Sequence, residues 1–453
     1  MKKEYFSFII KFQEGERRMK NIGELLKRIM EERNLTVEDL CVLLDLYENE
    51  VKEVLIGRRK LKENTLRKIC LIFNISYAEL KKINNTVEQQ VVKIVLTGGP
   101  CSGKTTAQSW ILNNYEKLGY KVFFIPETAT EHITGGLTPW ETNTSYDFQK
   151  GILLHQMVKE DIFTEAAKKM GYDKILIVCD RGLMDNKAYM SEEEYQRLLE
   201  EFGLTKSTIM DRYDAVFHLV TAAKGAEEYY NLDNEARTET VEQAACLDNK
   251  IINSWTGHPH FRIIDNSTDF DEKMRRLMKE ISNVLGEPEP LEIERKFLIE
   301  KPNLEFLENL ESCEKVDIVQ TYLRSSNPNE EVRVRQRGIN GSYTYTKTRK
   351  IKIDGLKRVE LEERITPEEY VQELQNADPN MKTIVKTRYC LSYNNQYYEI
   401  DIFPDMENEA IMEIELASEN QKFTIPEFID VIEEVTDKEE YKNSSIAKQL
   451  IKK

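Results

Sequence analysis

Residues Gly98-Gly99-Pro100-Cys101-Ser102-Gly103-Lys104-Thr105 follow the apolar run Val91-Val92-Lys93-Ile94-Val95-Leu96 and precede a potentially helical segment, Thr106 to Tyr115. Strand, glycine loop and helix at the spacing GxxxxGK(S/T) restrict the fold more than any other stretch. Such a loop turns backbone N–H groups inward around a phosphate chain, and the helix N-terminus adds about half a positive charge. Lys104 is placed to reach the β- and γ-phosphates. The Thr105 hydroxyl, beside Thr106, is placed to ligate Mg²⁺. The spacing predicts binding of a nucleoside triphosphate, ATP or GTP, within a parallel α/β sheet.

A chain of 453 residues has room for about three domains. With 40% hydrophobic and 32% charged residues it reads as globular and charge-rich. The net charge of −16 argues against non-specific nucleic-acid binding by the whole chain and leaves room for a local basic patch. The seven cysteines are scattered and form no CxxC pair, which fits a reducing cytoplasm and speaks against a zinc site. No apolar run approaches the ~18 residues of a membrane span. Glu14-Gly15-Glu16 before Met19 reads as a translated ribosome-binding site, so Met19 is expected to be the start and residues 1–18 to be poorly ordered.

Residues 19–84 read as four or five short amphipathic helices. Ile22, Leu25, Leu26, Ile29 and Met30 lie at helical spacing, and Thr36 with Asp39 has the capping-box pattern. Tyr47–Leu55 is expected to be a third helix. The stretches ERNLTVEDLCVLLDL and LRKICLIFNISYAELKKI resemble the Cro/repressor-type helix-turn-helix family, which implies duplex DNA as a partner. The expected recognition helix carries Glu48, Glu50 and Glu53, which repel phosphates. Arg58, Arg59, Lys60 and Lys62 after it could grip a backbone. The other reading is a protein-contact module, with a homodimer among its outcomes.

Residues 91–286 alternate strands and helices, which predicts a parallel sheet covered on both faces. Lys121–Ile125 delivers Glu127 at its C-terminal end, and Lys174–Asp180 is a buried strand ending in an acid. GGPCSGKTT, PETAT, DRGLMD, HLVTAAKGAEEYYNLDNEARTET and WTGHPHFRIIDN together resemble the P-loop family of the NadR nicotinamide riboside kinase and the TRP-channel translocation-defect proteins. In a phosphoryl-transfer site Asp180 would hold Mg²⁺ through water and Arg181 would bind a phosphate. Glu127 would be the base and Arg237 a lid arginine. A helix-capping carboxylate and a surface arginine are the plainer readings of Glu127 and Arg237. His258 and His260 read as part of a structural turn.

After the linker Gly286–Pro290 the texture becomes strand after strand. Over 290–453, charged residues recur at every second position in eight strand-like segments, acidic pairs and basic pairs in separate ones. Period two puts each set on one sheet face. An antiparallel barrel with that face inward is a polar tunnel, where carboxylates suit Mg²⁺ or Mn²⁺ and Arg and Lys suit phosphates. EIERK and VTDKEEYKNSSIAK resemble the CYTH, or triphosphate tunnel metalloenzyme, family. The resemblance implies metal binding by Glu292, Glu294 and Glu415, aided by Glu413, Glu362 and Asp401, with Glu294 and Glu415 catalytic. It implies triphosphate binding by Lys296, Arg333, Arg335, Lys347, Lys386 and Arg388.

The reading is multi-domain: all-α helix-turn-helix (19–84), α/β P-loop domain (91–286) and antiparallel eight-stranded β tunnel (290–453). It favours a metal-dependent triphosphatase, acting on tripolyphosphate or a nucleoside triphosphate, joined to a P-loop NTPase or small-molecule kinase. A nucleotide switch that senses a phosphorylated ligand in the tunnel, and a ligand-controlled transcription regulator, are the alternatives.

Overall fold

The computed structural model describes residues 21–57, 59–73, 75–84, 89–142, 144–230, 240–287, 293–325, 330–354, 357–416 and 421–449. Arg58, Arg237, Glu292 and residues 1–18, on which expectations were placed, lie outside the described residues.

Five helices open the described chain: α1 (Ile22–Arg33), α2 (Val37–Leu44), α3 (Glu48–Leu55), α4 (Glu63–Phe73) and α5 (Tyr77–Asn84). Their boundaries follow from local chemistry. Asn21 Oδ1 accepts the Glu24 N–H at 3.0 Å, and Asn34 ends α1 in the left-handed region at φ 54°. Thr36 and Asp39 form the expected reciprocal cap, with Thr36 N–H donating to Asp39 Oδ2 at 2.8 Å. The apolar stripes meet in one core of Leu25, Leu26, Leu40, Leu44, Val51, Val54, Ile69 and Leu80.

The next region holds β1 (Gln90–Thr97), α6 (Lys104–Tyr115), β2 (Lys121–Ile125), α7 (Thr128–Thr134), α8 (Ser145–Lys168), β3 (Lys174–Asp180), α9 (Glu192–Glu201), α10 (Lys206–Met210), β4 (Ala215–Leu219), α11 (Val241–Trp255), β5 (Phe261–Ile264) and α12 (Phe270–Leu285). The strands form a five-stranded sheet in the order β2-β3-β1-β4-β5. Parallel register places Ile94 beside Ala215 and Val216 beside Phe261. Ile94, Val95, Leu96, Val216 and Phe217 are fully buried, the near-continuous apolar runs of a sheet covered on both faces. Central β1 lies between β3 and β4, so the loops leaving β1 and β3 open side by side where such sheets bind ligands.

The last region holds β6 (Ile293–Glu300), α13 (Leu304–Glu308), β7 (Cys313–Leu323), β8 (Glu330–Ile339), β9 (Ser342–Asp354), β10 (Lys357–Arg364), α14 (Pro367–Glu373), β11 (Ile384–Tyr393), β12 (Gln396–Ile402), β13 (Glu409–Leu416), β14 (Val431–Glu434) and α15 (Asn443–Gln449). They form a nine-stranded sheet in the order β10-β9-β8-β7-β11-β12-β13-β6-β14, with antiparallel pairing throughout. The strand beyond the expected eight is β14. It is short and exposed along its length, and its pairing with β6 shifts between Val431 and Glu433, so it lacks the alternation that marks the others. One face of the sheet packs Phe297, Ile299, Tyr389, Leu391, Tyr398, Ile400, Met412 and Ile414 into an apolar core with Leu307 of α13. The intervening positions turn the charged side chains to the other face.

The described residues fall into two compact units. One takes in those of Met1–Val92 with Leu112–Ile125 and Val158–Val178; the other is Lys93–Ile111, Pro126–Met157 and Cys179–Lys453. The glycine loop and the whole antiparallel sheet belong to the second. Among the described residues no helix is long and apolar enough to cross a membrane.

Candidate functional site

The glycine loop is shaped by positions that tolerate no side chain. A Cβ on Gly98 would lie 2.2 Å from the Leu219 carbonyl oxygen, and Gly103 has a φ of 93°. Cys101 takes the left-handed region at φ 55°, and α6 begins at Lys104. Lys104 Nζ donates to the Gly98 carbonyl at 3.4 Å, curled over the loop. Burial, and then Arg181, hold its pKa below the usual lysine range. Ser102 is buried behind the loop; Thr105 and Thr106 are exposed on the first turn of α6.

Asp180 closes β3 beside the loop. Its Oδ2 accepts from Gln108 Nε2 at 2.9 Å, while Oδ1 is buried with no hydrogen-bond partner. Burial pushes its pKa up, and Lys104 only partly opposes that. A carboxylate with one orphaned oxygen beside a phosphate loop fits a hydrated divalent cation, with Asp180 and Thr105 as the residues that would hold it.

Arg181 takes the left-handed region at φ 68°, an uncommon conformation for arginine. This backbone aims its side chain between two carboxylates. Nε pairs with Glu127 Oε1, and Nη1 lies 3.3 Å from Asp185 Oδ1. Thr130 Oγ1 donates to Glu127 Oε2 at 2.7 Å. Burial alone would raise the Glu127 pKa, but Arg181 and Lys104 overcome it and hold the carboxyl down at about 2. Asp185, the last residue of DRGLMD, is buried and accepts from the Trp255 indole at 3.1 Å and the Gly182 N–H at 2.9 Å.

Behind the loop lies a network that the motifs did not reveal. Asp248 of α11 is fully buried, and its Oδ1 accepts from Gly99 N–H at 3.0 Å, Thr221 N–H at 3.2 Å and His218 Nε2 at 3.0 Å. Lys224 Nζ donates to Asp248 Oδ2 at 3.0 Å and to Asn395 Oδ1, in the β11–β12 turn, at 3.0 Å. Burial would raise the Asp248 pKa, but His218, Lys224 and the Gly99 amide hold it well below the usual range. Lys273 braces the same loop, donating to the Ser102 carbonyl at 3.2 Å and the Val220 carbonyl at 2.7 Å; burial presses its pKa to about 8. His258 is structural, as expected: buried, with Nε2 3.1 Å from the Tyr213 carbonyl.

The charged face of the antiparallel sheet brings most of its expected residues together. Arg388 donates to both Asp401 oxygens at 2.7 Å, pairs with Glu399, and lies 3.5 Å from Glu413. Lys386 also pairs with Asp401, and burial first lowers its pKa to about 8. Lys296 meets Glu413 at 2.7 Å and Glu294 at 3.5 Å. Arg335 hydrogen-bonds the neutral amide oxygen of Gln320 at 3.2 and 3.4 Å; burial and then Arg333 press its pKa to about 10. Arg333 is buried on the same strand. Lys347 is drawn instead to Glu373 of α14 at 2.6 Å.

The expected metal carboxylates divide. Glu294 stands opposite Glu415 in the β6–β13 register, and burial and then Glu413 raise its pKa, as in a carboxylate cluster short of positive charge. Asp401 is saturated by Lys386 and Arg388. Glu362 meets His260 at 3.5 Å, and Glu415 pairs with Arg262. Among the described residues no three His, Cys, Asp or Glu side chains converge as a ready metal cage. Glu294 and Glu413 both meet Lys296, and Glu415 meets Arg262, so each of these carboxylates already has a cationic partner.

Residues 93–273 match the family model of an AAA domain, from β1 into α12. Over these residues the chain is similar to AAA-type P-loop domains. It is also similar to the crystal structure of the inorganic triphosphatase NE1496, at 28% identity over 35% of this chain and 95% of that one, with a TM-score of 0.26. For the structure described as the hypothetical protein NE1496 the values are 28%, 35%, 98% and 0.26. PH1819 from Pyrococcus horikoshii OT3 is similar at 21% identity over 28% of this chain and 80% of that one, with a TM-score of 0.23. No curated protein matches the chain.

Proposed function

We propose that the chain is a two-site phosphate enzyme, with phosphoryl transfer from ATP or GTP at the glycine loop and triphosphate hydrolysis on the charged face of the antiparallel sheet. One observation carries the second site. Burial, then Arg333, Arg388 and Arg337, press the Arg335 pKa to about 10 against the opposing charge of Glu362, and its hydrogen bonds go to the neutral amide of Gln320. Such a row is relieved by a polyanion. In this reading Lys296, Lys386 and Arg388 trade their carboxylate partners for phosphate oxygens, and Arg333 and Arg335 join them on the phosphates. Water attacks the terminal phosphorus, its P–O bond to the bridging oxygen breaks, and pyrophosphate leaves on the basic wall. A divalent cation held by Glu294, Glu413 and Glu415, with Glu292, would supply charge neutralisation and activation of water.

At the loop, backbone N–H groups and Lys104 hold the triphosphate, and Arg181 is shared between Glu127 and the transferred phosphate. While Arg181 sits on Glu127, that carboxylate is a weak base. As the guanidinium turns to the phosphate, Glu127 regains basicity towards an acceptor hydroxyl. Steady turnover of tripolyphosphate and of ATP or GTP by the purified chain tests the proposal. Binding without turnover of either would make it a sensor instead.

The helical region is better read as a protein-contact module than as a DNA reader. Arg59 pairs with Glu50 at 2.7 Å and lies over the Tyr172 ring, and Lys60 lies 3.4 Å from Asp173. Two of the cations expected to meet phosphates, Arg59 and Lys60, are thus engaged within the chain.

A further inference from the structure

Three successive carbonyls of the glycine loop are drawn to one side. Thr221 Oγ1 donates to the Pro100 carbonyl, Ala222 N–H to the Cys101 carbonyl at 3.3 Å, and Lys273 Nζ to the Ser102 carbonyl at 3.2 Å. In a planar trans peptide the N–H points opposite to the C=O. These tethers therefore turn the N–H groups of Cys101, Ser102 and Gly103 to the other side, where the loop would meet phosphate. The third tether differs from the first two, because its donor can lose a proton. The Ser102 hydroxyl is buried with no hydrogen-bond partner and adds no tether there. Gly103, at φ 93°, has no Cβ to resist a turn of the peptide before it.

Lys273 is buried on α12, and its Nζ also donates to the Val220 carbonyl and to Asn266 Oδ1, both at 2.7 Å. The Asn266 amide is fixed in that sense, since its Nδ2 donates to the Thr221 and Lys224 carbonyls at 2.8 Å. An ammonium has three N–H groups and serves all three oxygens. A neutral amine has two, and its lone pair would face the third oxygen. The longest of the three bonds, to Ser102, is the one that gives.

We propose that Lys273 is a positioning residue whose charged form holds the Ser102–Gly103 peptide in its phosphate-binding orientation, so that nucleotide affinity falls as this ammonium loses its proton. This inference rests on the nucleotide-binding reading of the loop given above. Burial disfavours the ammonium most, Asp248 on α11 opposes burial, Arg276 on α12 adds to it, and Asp265 after β5 favours the charge; the pKa settles at about 8 against an ordinary 10.5. Affinity is thus complete below that pH and lost above it. Nucleotide, by fixing the peptide, draws a proton back onto Lys273. Lys104, whose pKa burial also lowers, acts on the phosphates directly and is the group to be told apart.

The test is isothermal titration of the full-length chain with Mg²⁺·ATP and Mg²⁺·GTP from about pH 7 to 9.5, above the titration of the phosphates, in buffers of different ionisation enthalpy. Wild-type affinity should hold to about pH 8 and then fall roughly tenfold per pH unit, with close to one proton taken up per nucleotide bound. Lys273→Arg, charged throughout, should bind with flat affinity and no proton uptake. Lys273→Met should keep the wild type's alkaline affinity at every pH, and serves if Lys273→Arg does not fold. The same step and uptake in either variant would assign them to Lys104 and overturn the positioning role, as would wild-type binding with neither step nor uptake; the nucleotide reading would stand. If the wild type binds neither nucleotide at about pH 7, that reading falls and the inference with it.

Discussion

The two regions of this chain that we propose handle phosphate are built on opposite plans. The glycine loop presents backbone N–H groups, one lysine and a helix N-terminus, all within eight consecutive residues. The antiparallel sheet presents long side chains drawn from β6, β8, β11, β12 and β13, each cation already tied to a partner. The first site is shaped before its ligand arrives, because backbone geometry is fixed by glycines and by a buried brace. The second must exchange one set of ion pairs for another. Breaking one side of a buried pair costs about 3–5 kcal/mol, so its net affinity depends on how fully phosphates replace the carboxylates. A preformed loop favours tight binding of one ligand shape, whereas an exchanging charged face favours response to ionic conditions.

The comparison breaks most sharply on a double dissociation. Lys104→Ala should abolish nucleotide binding while leaving tripolyphosphate hydrolysis near wild type. Glu294→Gln should do the reverse, lowering metal-dependent hydrolysis at least ~100-fold. Isothermal titration with nucleotide and phosphate release from tripolyphosphate measure the two arms. Equal loss of both activities in either variant would merge the two sites into one.

Next in size is the brace. Asp248→Asn leaves His218 and Lys224 facing a neutral amide in a buried place, which should cost about 3–5 kcal/mol in urea unfolding. It should also weaken nucleotide binding, because the Gly99 N–H exchanges a charged acceptor for a neutral amide oxygen, and leave the charged face of the antiparallel sheet unaltered. A loss below ~1 kcal/mol would show that the loop holds its own shape.

These residues also show what could be read without coordinates and what could not. The glycine loop was legible because its chemistry demands residue types at fixed intervals. The charged face was legible as a period-two alternation, since that period fixes which residues share a face but not which of them pair. Asp248 left one overlooked signal: it sits on the apolar stripe of α11 with Ala244, Ile251, Ile252 and Trp255, and His218 lies in a strand buried along its length. A charged group on a buried stripe must have a partner. Arg262 on Glu415 left no such signal, because a contact between distant segments depends on how they pack and not on local pattern.

A third effect separates the sites by pH. Glu127 is held at about 2 against an ordinary 4.5, mostly by Arg181 and Lys104 acting against burial. A depressed carboxylate pKa stabilises the fold above the unfolded value and is lost as pH falls towards the folded one. Glu127 should therefore contribute about 3 kcal/mol at neutral pH, fading between about pH 4.5 and 2. Urea unfolding should find Glu127→Gln less stable than wild type at pH 7, with the gap closing as pH drops through that window. A gap independent of pH would mean that Arg181 does not hold the carboxylate.

The smallest effect concerns the helical region. Arg59 and Lys60 face Glu50, Tyr172 and Asp173 in partly exposed pairs, worth about 0–1 kcal/mol each. If these contacts are their role, Arg59→Ala with Lys60→Ala should lower stability by no more than ~2 kcal/mol and leave duplex DNA binding as weak as in wild type. If they are phosphate contacts, wild type should bind duplex at low salt and the double variant should flatten the salt slope by about two units. The acidic α3, with Glu48, Glu50 and Glu53, favours the first outcome, since carboxylates facing a groove repel the backbone on either side of it. A salt-dependent mobility shift by the full-length chain, with and without nucleotide, decides between them. A nucleotide-dependent shift would return the helical region to DNA and make the Glu50 and Asp173 pairs the contacts that DNA must displace.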